Sequence, residues 1–177
     1  MNWCMFDLET LDTKPSATIL SLGAVKFDPR FPVPADAPTL SLRFDLDDQA
    51  LLNRSISDDT IQWWSTQSAA AQEAAFSEVG RVKLNDALDQ FHKFVWNSDF
   101  VWSQGSFDVN IMEDLLRATK RPFPWQYWQV CDSRTILNFI DGKIDRTKHH
   151  DAVEDAKAQA NAIHVALKKI RWNGEKI

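Results

Sequence analysis

Two acidic residues, Asp7 and Glu9, stand two positions apart near the start of the chain. They follow the apolar residues 3–6, a run typical of a buried strand. Strand alternation sends the side chains of residues i and i+2 to the same side of a sheet, so these two carboxylates converge. Convergence raises the pKa of one carboxyl or requires a cation, and a divalent cation removes the repulsion. An isolated Asp-x-Glu is more often a pair of solvated acids at a turn.

Two further acids occur in matching settings. Asp108 follows Gly105 at a predicted strand-to-helix junction, where an acid also complements the helix dipole. Asp155 lies early in the last predicted helix, five residues after His150, so the two side chains could face one cavity. Taken singly, Asp108 is more typical of a helix cap, and the His-to-Asp spacing is weak evidence.

Four carboxylates and a histidine in one pocket would suit phosphodiester hydrolysis. Carboxylate oxygens bind hard divalent cations, and two such cations can activate the attacking water and stabilise the departing 3′-oxygen. The water must still lose a proton, and a histidine that titrates near neutrality can accept it. A histidine in the same pocket is therefore chemically apt.

Length and composition predict one domain spanning residues 1–177. The 177 residues are 44% hydrophobic, enough to bury one sizeable core. No apolar run approaches the roughly 18 residues of a membrane span, and acids appear before a secretory-type apolar core could form, which predicts a cytoplasmic protein. The net charge of −5 argues against a wide grip on duplex phosphates but is compatible with carboxylates gathered around cations.

The elements that must position these residues follow a mixed α/β pattern. Predicted strands cover residues 3–6, 19–27, 40–46, 100–102 and 130–131. Predicted helices cover one or two segments within 57–76, then 82–96, 107–118, 133–140 and a last helix from residue 151. This order favours one mixed sheet with helices packed on its faces.

Three strings of the sequence resemble a known family. FDLET, QGSFDVNIM and HHDAVEDA resemble the three exonuclease motifs of the DnaQ-like DEDDh superfamily of 3′-to-5′ exonucleases. LSLGAVKFDP, TIQWW, PWQYW and DSRTI extend the likeness to a phage and prophage branch that includes DexA exonuclease and exodeoxyribonuclease VIII-like proteins. The RNase AS exoribonuclease branch is also similar. The resemblance covers nearly the whole chain and implies an α/β, ribonuclease H-like fold with a mixed five-stranded sheet flanked by helices.

The resemblance also implies a role for each motif residue. It implies two Mg²⁺ or Mn²⁺ ions in the active site. Their ligands would be Asp7, Glu9, Asp108 and Asp155. The general base matches His150 rather than His149, because the alanine and aspartate of the motif follow at the family spacing only when counted from His150.

Residues beside the first and second motifs are implied to contact substrate. In the family, the residues after the first glutamate hold the terminal 3′-hydroxyl and wedge against the last base. The substrate contacts implied here are Leu8, Thr10, Leu11, Phe107 and Trp64. Core packing is an open alternative for Leu11 and Phe107, and it fits both tryptophans of TIQWW. Gln104 and Asp12 depart from the family pattern, which affects substrate positioning but leaves the metal ligands and the base intact.

The sequence as a whole predicts a 3′-to-5′ exonuclease that releases nucleoside 5′-monophosphates from single-stranded or frayed 3′ ends. DNA is favoured over RNA, with an RNase AS-type exoribonuclease as the alternative. A catalytically silent nucleic-acid binding module and an interaction protein with a chance acidic cluster are less favoured.

Several relatives are homodimers, so a second copy is a candidate partner. The aromatic segment from Trp125 to Trp128 fits either the core or a nucleic-acid contact. Basic candidates for phosphate contacts, or for plain surface, are Arg117, Lys120, Arg121, Lys143, Arg146 and Lys148.

Overall fold

A mixed six-stranded sheet forms the centre of this computed structural model, which describes residues 1–140 and 151–171. The strands are β1 Trp3–Thr10, β2 Ile19–Phe27, β3 Thr39–Phe44, β4 Arg81–Val82, β5 Phe100–Ser103 and β6 Val130–Asp132. The helices are α1 Leu46–Ala50, α2 Asp58–Ser65, α3 Ala69–Phe76, α4 Leu84–Val95, α5 Phe107–Ala118, α6 Ser133–Phe139 and α7 Ala152–Lys169. A 3-10 helix covers Tyr127–Gln129. Within these residues, no helix is both long and apolar enough to cross a bilayer.

Strand β1 lies inside the sheet, whose order is β4-β3-β2-β1-β5-β6. It is antiparallel to β2 and parallel to β5. The even-numbered apolar residues of β1 pack into a core with α4 and α5, whereas Trp3 and Met5 pack into a second core with α7. Asp7 and Glu9 continue the odd-numbered series, so strand alternation turns both toward α7. The α/β architecture predicted from the sequence is confirmed.

Within residues 1–140 and 151–171 the sheet has six strands, so the predicted number of five is wrong. The additional strand, β4, has only two residues and pairs in parallel with β3, Arg43 with Arg81 and Phe44 with Val82. Two residues are too few to show a period-two pattern, so Val82 looked like the start of the helix that begins at Leu84.

The third strand also ends earlier than predicted, at Phe44. Asp45 caps α1, because its carboxylate accepts the backbone N–H of Asp48 at 2.9 Å. Helix α1 carries the fully buried Gln49, whose amide binds both backbone groups of Ile19 at 2.8 Å each. This amide takes the place of a strand partner at the start of β2.

The pairing of β1 with β2 shifts by one residue at the end of the acidic segment. Glu9 pairs with Ser21, whereas Thr10 pairs with Ile19, which leaves Leu20 as an extra residue on β2. Its side chain is fully buried in a small core beneath the β1–β2 connection. Irregularities of this kind bend a strand and redirect its side chains, and here the irregularity adjoins the two acids.

Helix α7 approaches the sheet so closely that only glycine fits beneath its first turn. A Cβ built on Gly23 of β2 would lie 2.0 Å from the carbonyl carbon of Ala152 and 2.1 Å from the nitrogen of Val153. The missing side chain thus allows the start of α7, and with it Asp155, to lie against β1 and β2.

We expect Gly23→Ala to lower the free energy of unfolding by at least about 3 kcal/mol, because the new methyl group would overlap backbone atoms that cannot rotate away. Urea unfolding monitored by circular dichroism measures this change. Gly80→Ala is the matched control: its Cβ would meet no atom within 4 Å, and its φ of +77° costs only about 1–2 kcal/mol of backbone strain. Equal losses in the two variants would contradict the close-approach explanation.

Candidate active site

Three of the four predicted acids meet between the end of β1 and the first turn of α7. One carboxylate oxygen from each of Asp7, Glu9 and Asp155 lies within 4.8 Å of the others. Glu9 and Asp155 are buried, and Asp7 is partly exposed. Asp151 caps α7 by accepting the backbone N–H groups of Val153 and Glu154 at 3.1 Å each, which fixes the start of the helix and therefore the position of Asp155.

Asp108 lies beside this cluster at the start of α5. It is buried, and its Oδ1 accepts the backbone N–H of Leu8 at 3.1 Å. Leu8 stands between Asp7 and Glu9, so this hydrogen bond ties the first turn of α5 to the acidic segment of β1.

The proximity of the acids is unfavourable without a counter-charge. Burial and the carboxylates of Asp108 and Glu9 hold the pKa of Asp7 well above its usual range, and Asp155 acts in the same direction. The amide Nε2 of Gln159 donates to Asp7 Oδ1 at 2.6 Å and lowers this pKa in part. Sequence analysis did not single out Gln159. The available signal was its spacing of four residues from Asp155, which puts both on one face of α7.

The donor set fits a hard divalent cation. All the converging atoms are carboxylate oxygens, the ligands that Mg²⁺, Mn²⁺ and Ca²⁺ prefer, and no thiolate or imidazole stands among the three clustered residues. A cation would also relieve the repulsion that raises the pKa of Asp7. The cluster can therefore hold a metal ion.

The predicted general base lies outside the described residues. His150 and its neighbour His149 fall within 141–150, as do Lys143, Arg146 and Lys148. The structure begins again at Asp151, directly before the helix that carries Asp155.

A cleft with a volume of about 510 Å³ opens beside the acids. Its lining includes Leu8, Glu9 and Thr10 from β1, together with Trp63 from α2 and Phe107 from α5. The side chains of Trp63 and Phe107 are 44% and 36% exposed, so aromatic faces are accessible in the cleft. The hydroxyl of Thr10 donates to the carbonyl of Asp12 at 2.8 Å.

Two of the predicted substrate contacts turn toward the interior. Leu11 packs with Trp64 in the core cluster beneath the β1–β2 connection. Trp64 borders the cleft but is only 1% exposed, and its Nε1 donates to the carbonyl of Thr10 at 2.9 Å. Trp63 forms an edge-to-face contact with Trp64, with ring centroids 5.0 Å apart. The exposed member of the tryptophan pair is thus Trp63.

The aromatic segment 125–128 divides between core and surface. Trp125 is buried and stacks on Phe6 with centroids 5.9 Å apart. Tyr127 and Trp128 are 85% and 61% exposed, and they precede β6. Because β6, β5 and β1 are parallel, this exposed pair lies at the opposite end of the sheet from Asp7.

The described basic candidates lie at the far end of α5 from Asp108. Arg117 donates to Glu113 at 2.8 Å, and Arg121 forms an ion pair with Asp89. Lys120 follows the helix with a φ of 56°. None of these three residues borders the cleft described above.

Comparison with known proteins identifies the family. Residues 2–167 match the 3′-5′ exoribonuclease Rv2179c-like domain, so the chain belongs to this family. It is a hydrolytic nuclease that acts on phosphodiester bonds, and the family relationship predicted from its three motifs is confirmed. An exodeoxyribonuclease of Enterobacteria phage T4 is 26% identical over an alignment that covers 93% of this chain and 88% of the phage protein.

Solved structures show the same fold. The zinc-bound E. coli ExoI–ssDNA complex matches 97% of the chain with a TM-score of 0.66 and 12% identity, and the chain spans 41% of that protein. S. pombe Pop2p in its Mg²⁺- and Mn²⁺-bound form matches 99% of the chain with a TM-score of 0.64 and 15% identity, over 86% of Pop2p. These similarities confirm the ribonuclease H-like fold.

We expect Asp7→Asn to raise the thermal stability of the protein in EDTA at pH 7.5. The pKa of Asp7 in the folded protein lies above the ordinary value of 3.8, so the folded state loses stability as pH rises from 3.8 through the folded pKa. Asparagine avoids this loss and keeps an oxygen for the Gln159 amide. Differential scanning calorimetry should show a gain of roughly 2–4 °C, the shift that about 1 kcal/mol produces at this size.

The gain should shrink as the pH falls toward 4, because wild-type Asp7 then becomes protonated and is uncharged, like the asparagine of the variant. A lower melting temperature for Asp7→Asn in EDTA, or a gap that does not change with pH, would show that the acids do not repel one another in the folded protein.

Proposed function

We propose that this nuclease is a divalent-metal-dependent 3′-to-5′ exonuclease that releases nucleoside 5′-monophosphates from single-stranded ends. The observation that carries the proposal is the convergence of the Asp7, Glu9 and Asp155 oxygens beside an open cleft. The family description, a 3′-5′ exoribonuclease domain, supports the direction of cleavage. The net charge of −5 favours binding of phosphate at a metal site over binding of a duplex through many contacts with basic side chains.

In this proposal four carboxylates would hold two ions, Mg²⁺ or Mn²⁺. Asp7, Glu9 and Asp155 form the cluster, and the buried Asp108, which lies beside them at the start of α5, would be the fourth ligand. When bound, such a pair of ions supplies an activated water and stabilises the departing oxygen. The Mg²⁺- and Mn²⁺-bound state of Pop2p, which shares this fold, supports the choice of ions.

His150 is proposed to take the proton from the attacking water, on the basis of its motif spacing to Asp155. The water oxygen forms a new bond to the phosphorus of the last phosphodiester. The bond from that phosphorus to the 3′-oxygen of the preceding nucleotide breaks. The terminal nucleotide leaves as a 5′-monophosphate. The 3′-oxygen of the shortened strand takes up a proton from water and becomes a hydroxyl, and His150 returns its proton to the solvent.

The terminal nucleotide is proposed to lie in the cleft. Thr10 would meet its 3′-hydroxyl and Leu8 its base, while Phe107 and Trp63 offer accessible aromatic faces for stacking. Trp64 supports this wall from within, because its indole N–H holds the carbonyl of Thr10.

DNA is the proposed substrate, and RNA is the second candidate. The relationship to the phage T4 exodeoxyribonuclease favours DNA. The description of the family as an exoribonuclease domain favours RNA. The two candidates differ only in the sugar, so one assay compares them directly.

We expect a 5′-labelled single-stranded oligonucleotide to shorten stepwise from its 3′ end in Mg²⁺ or Mn²⁺, and EDTA to stop the reaction. DNA and RNA oligonucleotides of the same sequence are assayed in parallel, and the one that shortens faster identifies the preferred substrate. Asp155→Asn should reduce the rate by more than about 100-fold, because it removes a charged ligand. His150→Ala should reduce it by about 100- to 10,000-fold while Mn²⁺ binding remains.

Glu154→Gln is the matched control, since it neutralises the neighbouring acid of α7, which pairs with Lys157 at 3.3 Å. This variant should retain the wild-type rate. Binding of the oligonucleotide without shortening would disprove the exonuclease proposal. Shortening from the 5′ end would disprove the direction.

We expect Trp63→Ala to raise the KM for single-stranded substrate roughly 10-fold, since base stacking on an exposed aromatic contributes about 1–3 kcal/mol. Steady-state kinetics measure the change. Trp128→Ala removes a tryptophan that is even more exposed than Trp63, at the far end of the sheet, and should leave KM unchanged. Equal KM values in all three proteins would exclude Trp63 from the substrate site.

A further inference from the structure

A neutral amide is buried against the acidic cluster. The side chain of Gln159 is completely inaccessible, and its Nε2 donates to Asp7 Oδ1 at 2.6 Å. Its Oε1 is buried too and has no hydrogen-bond partner within residues 1–140 and 151–171. Leaving a buried carbonyl unpaired costs about 1–3 kcal/mol. An apolar side chain of the same length would therefore satisfy packing alone at lower cost.

The surroundings of Gln159 make this amide an exception on its helix face. Ala156 and Ala160 flank it on α7 and pack, fully buried, into the core that contains Trp3 and Met5. Asp155 lies one turn earlier, so the only polar positions on this buried face point at the end of β1. The amide is placed where it meets Asp7 and where packing gives no reason for a polar group.

We propose that Gln159 is a positioning residue that holds the Asp7 carboxylate in the orientation needed to bind a divalent cation. The amide occupies Oδ1 at 2.6 Å and thereby restricts rotation of the carboxylate, which would leave Oδ2 as the oxygen for the cation. A lysine or arginine could donate the same hydrogen bond, but its positive charge would compete with the cation. Hydrogen-bond partners behind metal ligands orient those ligands and commonly change metal affinity 10- to 100-fold. This inference rests on the proposed metal-dependent function.

The test uses Gln159→Met, which keeps the length and volume of the side chain and removes both polar atoms. Isothermal titration calorimetry of the full chain with Mn²⁺ alone should show a 10- to 100-fold weaker Kd. The half-saturating Mn²⁺ concentration for oligonucleotide cleavage should rise by the same factor, while KM for the oligonucleotide at saturating Mn²⁺ stays within twofold of wild type. The melting temperature in EDTA should change little, because the lost hydrogen bond and the removed unpaired carbonyl offset each other.

Asn161→Asp is the matched control on the same helix. It replaces an amide by a carboxylate but keeps Oδ1, which accepts the backbone N–H of Val33 at 2.8 Å, away from Asp7. Its Mn²⁺ Kd should equal that of wild type. If Gln159→Met does not fold, Gln159→Asn serves instead, since its amide is one methylene too short to reach Asp7 and the same loss of Mn²⁺ affinity is expected.

A Mn²⁺ Kd within twofold of wild type in the folded Gln159 variant would overturn this inference and leave the proposed function standing. A fall in melting temperature in EDTA with unchanged Mn²⁺ affinity would assign Gln159 a purely structural role and overturn it as well. A wild-type protein that binds no Mn²⁺, and loses nothing with Asp155→Asn, would instead overturn the proposed function itself.

Discussion

Repulsion between carboxylates at the end of β1 is the constraint on which this site depends. Like charges are brought together where water can solvate them only in part, and the raised pKa of Asp7 records the cost. A bound ligand of opposite charge can offset this repulsion. A divalent cation has the opposite charge, prefers oxygen ligands and fits between oxygens at this spacing. Without a counter-charge the clustered acids repel one another, and a bound cation would relieve that repulsion.

The rest of the architecture holds the acids in this arrangement. Strand alternation turns two of them toward α7, and the missing side chain at Gly23 lets that helix approach closely enough to add Asp155. The cap at Asp151 fixes where the helix begins, and the bond from Leu8 to Asp108 fixes α5 against the same strand. Together these contacts join residues from both ends of the chain.

The sequence was sufficient to predict the class of fold from the order of its elements, and the common side of Asp7 and Glu9 from strand parity. The resemblance of its three motifs to a known family, not local geometry, indicated that Asp155 would join them. Local geometry was insufficient where partners lie far apart along the chain. Glycine in β2 suggests a close approach without revealing that α7 is the approaching element. Neighbouring residues on a helix point in different directions. The sequence therefore could not show which of Trp63 and Trp64 is buried and which is exposed, because that depends on how α2 packs. Strand β4 was too short to produce a pattern, and Gln159 has no motif of its own.

The most direct test of the central claim is the anomalous diffraction of crystals grown with Mn²⁺. The account predicts Mn²⁺ peaks bound by oxygens of Asp7, Glu9 and Asp155, with Asp108 at the same centre and the Gln159 amide still on Asp7 Oδ1. Peaks confined to other surfaces, with the acids apart from any metal at saturating Mn²⁺, would contradict it.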